Sequence, residues 1–156
     1  MQILRAKAED AATLTEIAFT AKRHWGYPEQ WIENWRHVLT IQPEFIARHE
    51  THTAFVEGEP IGFYSLVCEL GRMRLEHLWV LPGAMRRGVG RALFFHAVER
   101  VRALGFESLE IESDPNAAGF YQRMGALRAR TTVTELEERS RELPVFVYDL
   151  RMRANA

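Results

Sequence analysis

At 156 residues the chain is long enough to bury a substantial core and too short for two ordinary domains, so residues 1–156 are expected to form a single domain. Its 47% hydrophobic and 26% charged content is that of a soluble globular protein. A formal net charge of −1 gives no global reason to bind nucleic acid or an anionic membrane.

The amino end lacks the apolar core of a signal peptide and no apolar run reaches membrane-spanning length, so the expected location is the cytoplasm. Residues 2–6 read as a first strand. Glu9 and Asp10 suit a helix start, and Leu14, Ile17, Ala18 and Ala21 recur at helical spacing to about Arg23. A break at Gly26-Tyr27-Pro28 precedes a second helix, on which Trp31, Trp35, Val38 and Leu39 share one face. That face reads as core; the preceding His24, Trp25 and Tyr27 form a loop able to line a small-molecule pocket.

Residues 43–49 add one helical turn. Strands are expected over residues 51–57, 61–70 and 72–81, with a turn at Gly58-Glu59-Pro60, which makes an antiparallel meander. Cys68 is the sole cysteine and cannot form an internal disulfide; beside Leu66 and Val67 it reads as a buried thiol in a reducing compartment. A further helix buries Val89, Leu93, Ala97, Val101 and Leu104 and stops at Gly105. The short strand 109–111 then follows through a helical crossover, which implies parallel pairing. Asp114 suits the N-cap of a short helix with Pro115 at its first position and Gly125 past its end. Strands over residues 127–136 and 144–150 close the chain, with the charged segment 137–142 expected as a solvated loop.

The chain is organised around the turn Met85-Arg86-Arg87-Gly88-Val89-Gly90, which links a strand to a helix. The first turn of a helix offers backbone N–H groups without intrahelical partners at the positive end of its dipole. Gly88 and Gly90 permit close approach of an anion, and Arg86, Arg87 and Arg91 add charge, so the turn suits a phosphate or pyrophosphate. A dinucleotide fingerprint would need a third glycine where Leu93 stands, and a P-loop would need Gly-Lys-Ser/Thr.

The turn resembles the acyl-CoA motif Gln/Arg-x-x-Gly-x-Gly/Ala of the GNAT superfamily of N-acyltransferases, with Met85 departing from Gln/Arg. Asn116-Ala117-Ala118-Gly119-Phe120-Tyr121, closing at Gly125, is similar to the same superfamily's second hallmark. The resemblance implies an α/β (α+β) fold: a GNAT-like mixed central sheet of about seven strands, antiparallel at the ends with a parallel splayed pair in the middle, flanked by about four helices. It also implies acetyl-CoA as co-substrate. The amides of Arg86, Arg87, Gly88, Val89, Gly90 and Arg91 would hold its pyrophosphate, and the backbone of Leu78, Trp79 and Val80 would pair with its pantetheine arm like an added strand. Asn116 would contact the coenzyme or neighbouring backbone, with Phe120 packed beside it; for Arg123, contact with the adenosine 3′-phosphate competes with a plain exposed arginine.

Tyr121 takes the place of the family's general acid, against the alternative of a core tyrosine. Glu76 is the candidate base for an amine acceptor; it would share strand parity with Leu78 and Val80, with His77 on the other face, although pairing with an arginine is an equal alternative. His24, Trp25 and Tyr27 are the candidate acceptor residues. His24, His37, His49, His52, His77 and His96 show no metal-ligand spacing, and no metal is expected.

The expected activity is therefore an acetyl-CoA-dependent N-acetyltransferase, moving an acetyl group to a primary amine by direct attack in a ternary complex. Its acceptor would be a small-molecule or peptide amine, and the resemblance admits a homodimer. A non-catalytic acyl-CoA-binding sensor, or a GNAT fold reused as an interaction module, is the alternative from another class. A succinyl donor or a protein amino terminus as acceptor is the enzymatic alternative.

Overall fold

A computed structural model describes residues 1–136 and 139–153. Its seven strands are β1 (Gln2–Arg5), β2 (Glu50–Val56), β3 (Glu59–Glu69), β4 (Arg72–Val80), β5 (Ser108–Glu112), β6 (Leu127–Leu136) and β7 (Arg139–Asp149). They form one sheet in the order β1-β2-β3-β4-β5-β7-β6. Every neighbouring pair is antiparallel except β4 with β5, the pair joined by a helical crossover. The mixed sheet with a central parallel pair is the expected one.

The described residues form six helices rather than about four: α1 (Ala11–Arg23), α2 (Glu29–Asn34), α3 (Arg36–Leu39), α4 (Pro43–Arg48), α5 (Val89–Ala103) and α6 (Ala118–Met124). The surplus arises because the expected helix after Pro28 is split at Trp35 (φ −90°, ψ 1°), while Pro43 starts a helix of its own. The split rotates the apolar face. Ile32 and Leu39 are buried, Trp31 and Trp35 are half-buried, and Val38, expected inside, is exposed.

Alternation along the strands divides the core between the two faces of the sheet. Phe63 packs with Leu14, Ile17, Ala18 and Ile32 on one side; its neighbour Tyr64 packs with Leu93, Phe94, Ala97 and Tyr121 on the other. Leu104 departs from the expected helix face because it caps α5 rather than lying within it, and is exposed. Cys68 is exposed too: it sits one residue from the end of β3, beyond the cover that α5 gives Tyr64 and Leu66.

Two connections differ from expectation. The β2–β3 turn is made by Glu57 and Gly58, both at positive φ, and Pro60 lies inside β3 opposite Phe55, where the ladder slips register and a missing N–H is tolerated. At the other end of the sheet, β7 begins at Arg139, so residues 139–142 are strand rather than loop, and residues 137 and 138 lie outside the described residues. The pairs Thr134–Arg141 and Glu135–Ser140 extend the ladder, whose main-chain bonds are indifferent to charged side chains.

Candidate active site

β4 and β5 share a single register pair, Arg74 with Glu110, and diverge beyond it. Along Leu78, Trp79 and Val80, β4 continues to pair with Tyr64, Phe63 and Gly62 of β3. Its opposite edge is left without a strand partner among the described residues, open to an extended ligand. Ligands of open α/β sheets gather at the carboxyl ends of parallel strands, and here both such ends lead into the expected motifs.

After β4 the chain makes a helical turn at Pro82–Ala84, and Arg86 lies at φ 60°. Gly88 caps α5 in the left-handed region, at φ 83°. Ala92 N–H to Gly88 C=O, at 3.0 Å, is the first bond of the helix, so the amides before it point off the helix end at the positive pole of its dipole. A Cβ on Gly90 would lie 3.3 Å from the Phe120 ring. That absent side chain lets α6 pack against the head of α5 and brings the two motifs together. Arg86 and Arg87 are exposed and form no ion pair among the described residues, while Arg91 lies over the Phe95 ring at 5.0 Å. The turn therefore fits a diphosphate in both its backbone and its charge.

Tyr121 lies on α6, buried against Phe94, Phe120 and Phe146. Burial pushes its phenol well above the ordinary range, and the Asp114 carboxylate pushes it further the same way. The hydroxyl is thus a donor at any working pH.

Glu76 does not share a face with Leu78 and Val80. Ser65 pairs with His77 and Leu66 with Leu75, so Glu76 is the extra residue of a β-bulge. Met73 and Leu75 before it, and Leu78 and Val80 after it, all pack into one cluster because the bulge resets the alternation. Glu76 is exposed and accepts a hydrogen bond from Arg74 Nε at 2.6 Å; with Arg74, Leu75 and Glu112 it lines a cavity of about 280 Å³ on the β4–β5 seam. His77 packs against Phe45 and Phe63 and accepts from Trp79 Nε1 at 3.1 Å. Burial pulls its imidazole down to about 4, opposed by Glu76.

The three loop residues separate. His24 and Trp25 pack on each other at the surface, whereas Tyr27 turns inward. Its hydroxyl lies 3.0 Å from both oxygens of Asp114 and accepts from Asn116 Nδ2 (2.9 Å) and Arg141 Nη2 (2.6 Å). Lys22 Nζ completes the group, 2.6 Å from Asp114 Oδ2 and 4.1 Å from the centre of the Trp35 ring. Burial lowers Lys22, and the Asp114 carboxylate opposes the shift. Burial pushes Asp114 up, but Lys22, the Asn116 N–H and Tyr27 together outweigh it and hold the carboxyl below its usual range. Burial, reinforced by Asp114, pushes Tyr27 up to about 12.

Asn116 thus directs its amide N–H groups to Tyr27 and to Asp114 Oδ1. The sequence pattern marks neither Lys22 nor Arg141, and marks Asp114 only as a cap. Asp114 does cap the turn, accepting from Asn116 N–H at 2.8 Å. No local pattern marks Arg141, whose segment reads simply as charged. Among the described residues no group of His, Cys, Asp or Glu side chains is placed to hold a metal ion, and no helix is long and apolar enough to cross a membrane.

A mixed sheet opened at its parallel pair, with a glycine-capped helix head on one side and a buried tyrosine on the other, is the arrangement of an acyl-coenzyme A-dependent transferase fold. The acetyltransferase (GNAT) family matches residues 12–126; the chain belongs to that family and is an acyltransferase. Solved structures share the fold. A GCN5-related N-acetyltransferase from Rhodopseudomonas palustris has a TM-score of 0.80 at 22% identity, over 96% of this chain and 95% of that one. The PaiA N-acetyltransferase from Thermoplasma acidophilum, in complex with coenzyme A, has a TM-score of 0.77 at 21% identity, over 95% and 98%. YncA from Salmonella typhimurium, with acetyl-CoA, has a TM-score of 0.73 at 18% identity, over 96% and 94%. No curated protein matches the chain.

Proposed function

We propose that the protein is an N-acetyltransferase of one catalytic domain that moves an acetyl group from acetyl-CoA to a primary amine by direct attack in a ternary complex. One observation carries the reading: β4 and β5 part after Arg74–Glu110, and their carboxyl ends lead to the Gly88 turn and to the helix of Tyr121. Coenzyme A bound by PaiA and acetyl-CoA bound by YncA support the choice of donor.

In this reading the amides from Arg86 to Arg91 hold the pyrophosphate and the free edge of β4 orients the thioester arm. The amine nitrogen forms its bond to the thioester carbonyl carbon, and the carbon–sulfur bond breaks. An alkylamine of pKa about 10.4 costs on the order of 4 to 5 kcal/mol to hold neutral at pH 7, so its proton needs an acceptor. Glu76, at the mouth of the seam, takes it through water. Tyr121 donates a hydrogen bond to the leaving sulfur. Proton transfer from an ordinary phenol (pKa about 10) to a thiolate (about 8.5) is already uphill by roughly 2 kcal/mol, and burial beside Asp114 makes it more so. The thiolate is therefore stabilised by Tyr121 and protonated from solvent.

Tyr121→Phe is expected to cut turnover by a factor of tens or more while leaving coenzyme affinity within about twofold. Equal turnover by the two proteins would remove Tyr121 from the mechanism. Coenzyme binding by the wild type without acetyl transfer to any of a broad panel of amines would instead favour an acyl-CoA sensor.

A further inference from the structure

The group around Asp114 is enclosed and has almost no accepting capacity left. Side-chain exposure is 9% for Lys22, 13% for Asp114 and 18% for Arg141. Asp114 Oδ1 already receives two N–H bonds from Asn116, Oδ2 receives Lys22 and, at 3.5 Å, Arg141, and the Tyr27 hydroxyl bridges both oxygens. Tyr27 oxygen, with one proton given to Asp114, accepts from both Asn116 and Arg141 and is likewise full. Donors, by contrast, are in surplus: Arg141 Nε and Nη1 meet no acceptor among the described residues, and Lys22 Nζ has a single carboxylate partner. Two cations face one carboxylate, so the group carries a net charge of +1, bounded by the Tyr27 and Trp35 rings at 5.2 and 5.0 Å from the Arg141 guanidinium.

We propose that Arg141, backed by Lys22, recognises a carboxylate on the acyl acceptor, so that the enzyme prefers amines that carry one, α-amino acids being the simplest class. The inference rests on the transfer reading above and narrows it. The fork of Arg141 suits a planar carboxylate, and a monoanion would neutralise the group. A phosphate dianion would overshoot and leave a partly buried negative charge. Within this group a polyamine would find no free carboxylate, because Asp114 is saturated. Asp114 also lies between β5 and the helix of Tyr121, so its contact ties Arg141 to the connection that carries that helix.

The test compares binding and turnover on the wild type and on Arg141→Gln and Arg141→Lys. The binding probes are N-acetylglycine, N-acetylmethionine and N-acetylphenylalanine, each against its carboxamide, followed by tryptophan fluorescence. At least one acid is expected to bind ten times more tightly than its amide to the wild type, with the ratio near one in Arg141→Gln and partly restored in Arg141→Lys. The free amino acids and their amides, offered with acetyl-CoA, are expected to show the same discrimination in kcat/KM. If no acid binds better than its amide, the inference is overturned whether or not the variants fold, because the wild type alone decides it. Acetylation of amides as fast as acids overturns it too, while leaving the transferase intact. Carboxylate-selective binding without acetyl transfer to any amine upholds the recognition and sinks the transferase reading alone.

Discussion

The side of the cleft that we assign to coenzyme and the side that we assign to the acceptor are built in opposite ways. The coenzyme side is made of backbone: the free edge of β4, the left-handed Gly88, and the amides ahead of Ala92. The acceptor side is made of side chains from α1, the loop after it, the end of β5 and β7, and its bonds join residues as much as 114 positions apart. Backbone sites tolerate change at most positions and so suit a shared coenzyme. Side-chain networks are fixed by each member and suit a particular acceptor.

That contrast is sharpest in what each side contributes to stability. Asp114→Ala would strand Lys22 and Arg141 as uncompensated, largely buried cations, and is expected to cost about 3 kcal/mol. Urea unfolding measures it; a loss under about 1 kcal/mol would mean that water already screens the group. Acid probes β4 through His77. His77 has a folded pKa near 4 against an ordinary 6.5, so its contribution is complete above pH 6.5 and is lost as pH falls towards 4. Its nitrogen accepts from Trp79, and protonation there breaks the contact. The expected loss is about 2 kcal/mol between pH 7 and 4.5, and His52, also held near 4 by burial and by His96, adds to it. Unfolding of His77→Gln should therefore show a shallower dependence on pH.

The same contrast explains how much could be read in advance. The helix head at Gly88, the cap at Asp114 and the short helix of Tyr121 announce themselves through glycine, proline and cap residues within a few positions of one another. The strand order follows from short connections and the handed crossover. Arg141 carries no such signal, because its role exists only once β7 has paired with β6 and met Tyr27. Strict alternation puts Glu76 on the face of Leu78 and Val80 because it cannot anticipate the bulge. Cys68 is exposed for a similar reason: apolar neighbours in sequence do not reveal where the covering helix ends.

Gly88→Ala tests the backbone side more gently. A Cβ there meets nothing within 4 Å, but φ 83° disfavours any side chain, so about 1 kcal/mol of strain is expected. If the turn amides grip the pyrophosphate, calorimetric titration with coenzyme A should show affinity falling severalfold, with carboxylate binding at the acceptor side unaltered. Unchanged coenzyme affinity would place the anion elsewhere.

The smallest effect on stability is expected from Glu76→Gln, and it bears on the one residue that belongs to neither side. Its ion pair with Arg74 is solvent-exposed, so removal should cost no more than about 0.5 kcal/mol. Its effect on chemistry separates two accounts of the bulge. If the bulge aims Glu76 at the seam to accept the amine proton, Glu76→Gln lowers kcat/KM, since an amide oxygen is too weak a base to replace a carboxylate. If full activity survives, ordered water conducts the proton, and the bulge serves β4 itself by bringing Leu78 and Val80 back to the face that Met73 and Leu75 already occupy.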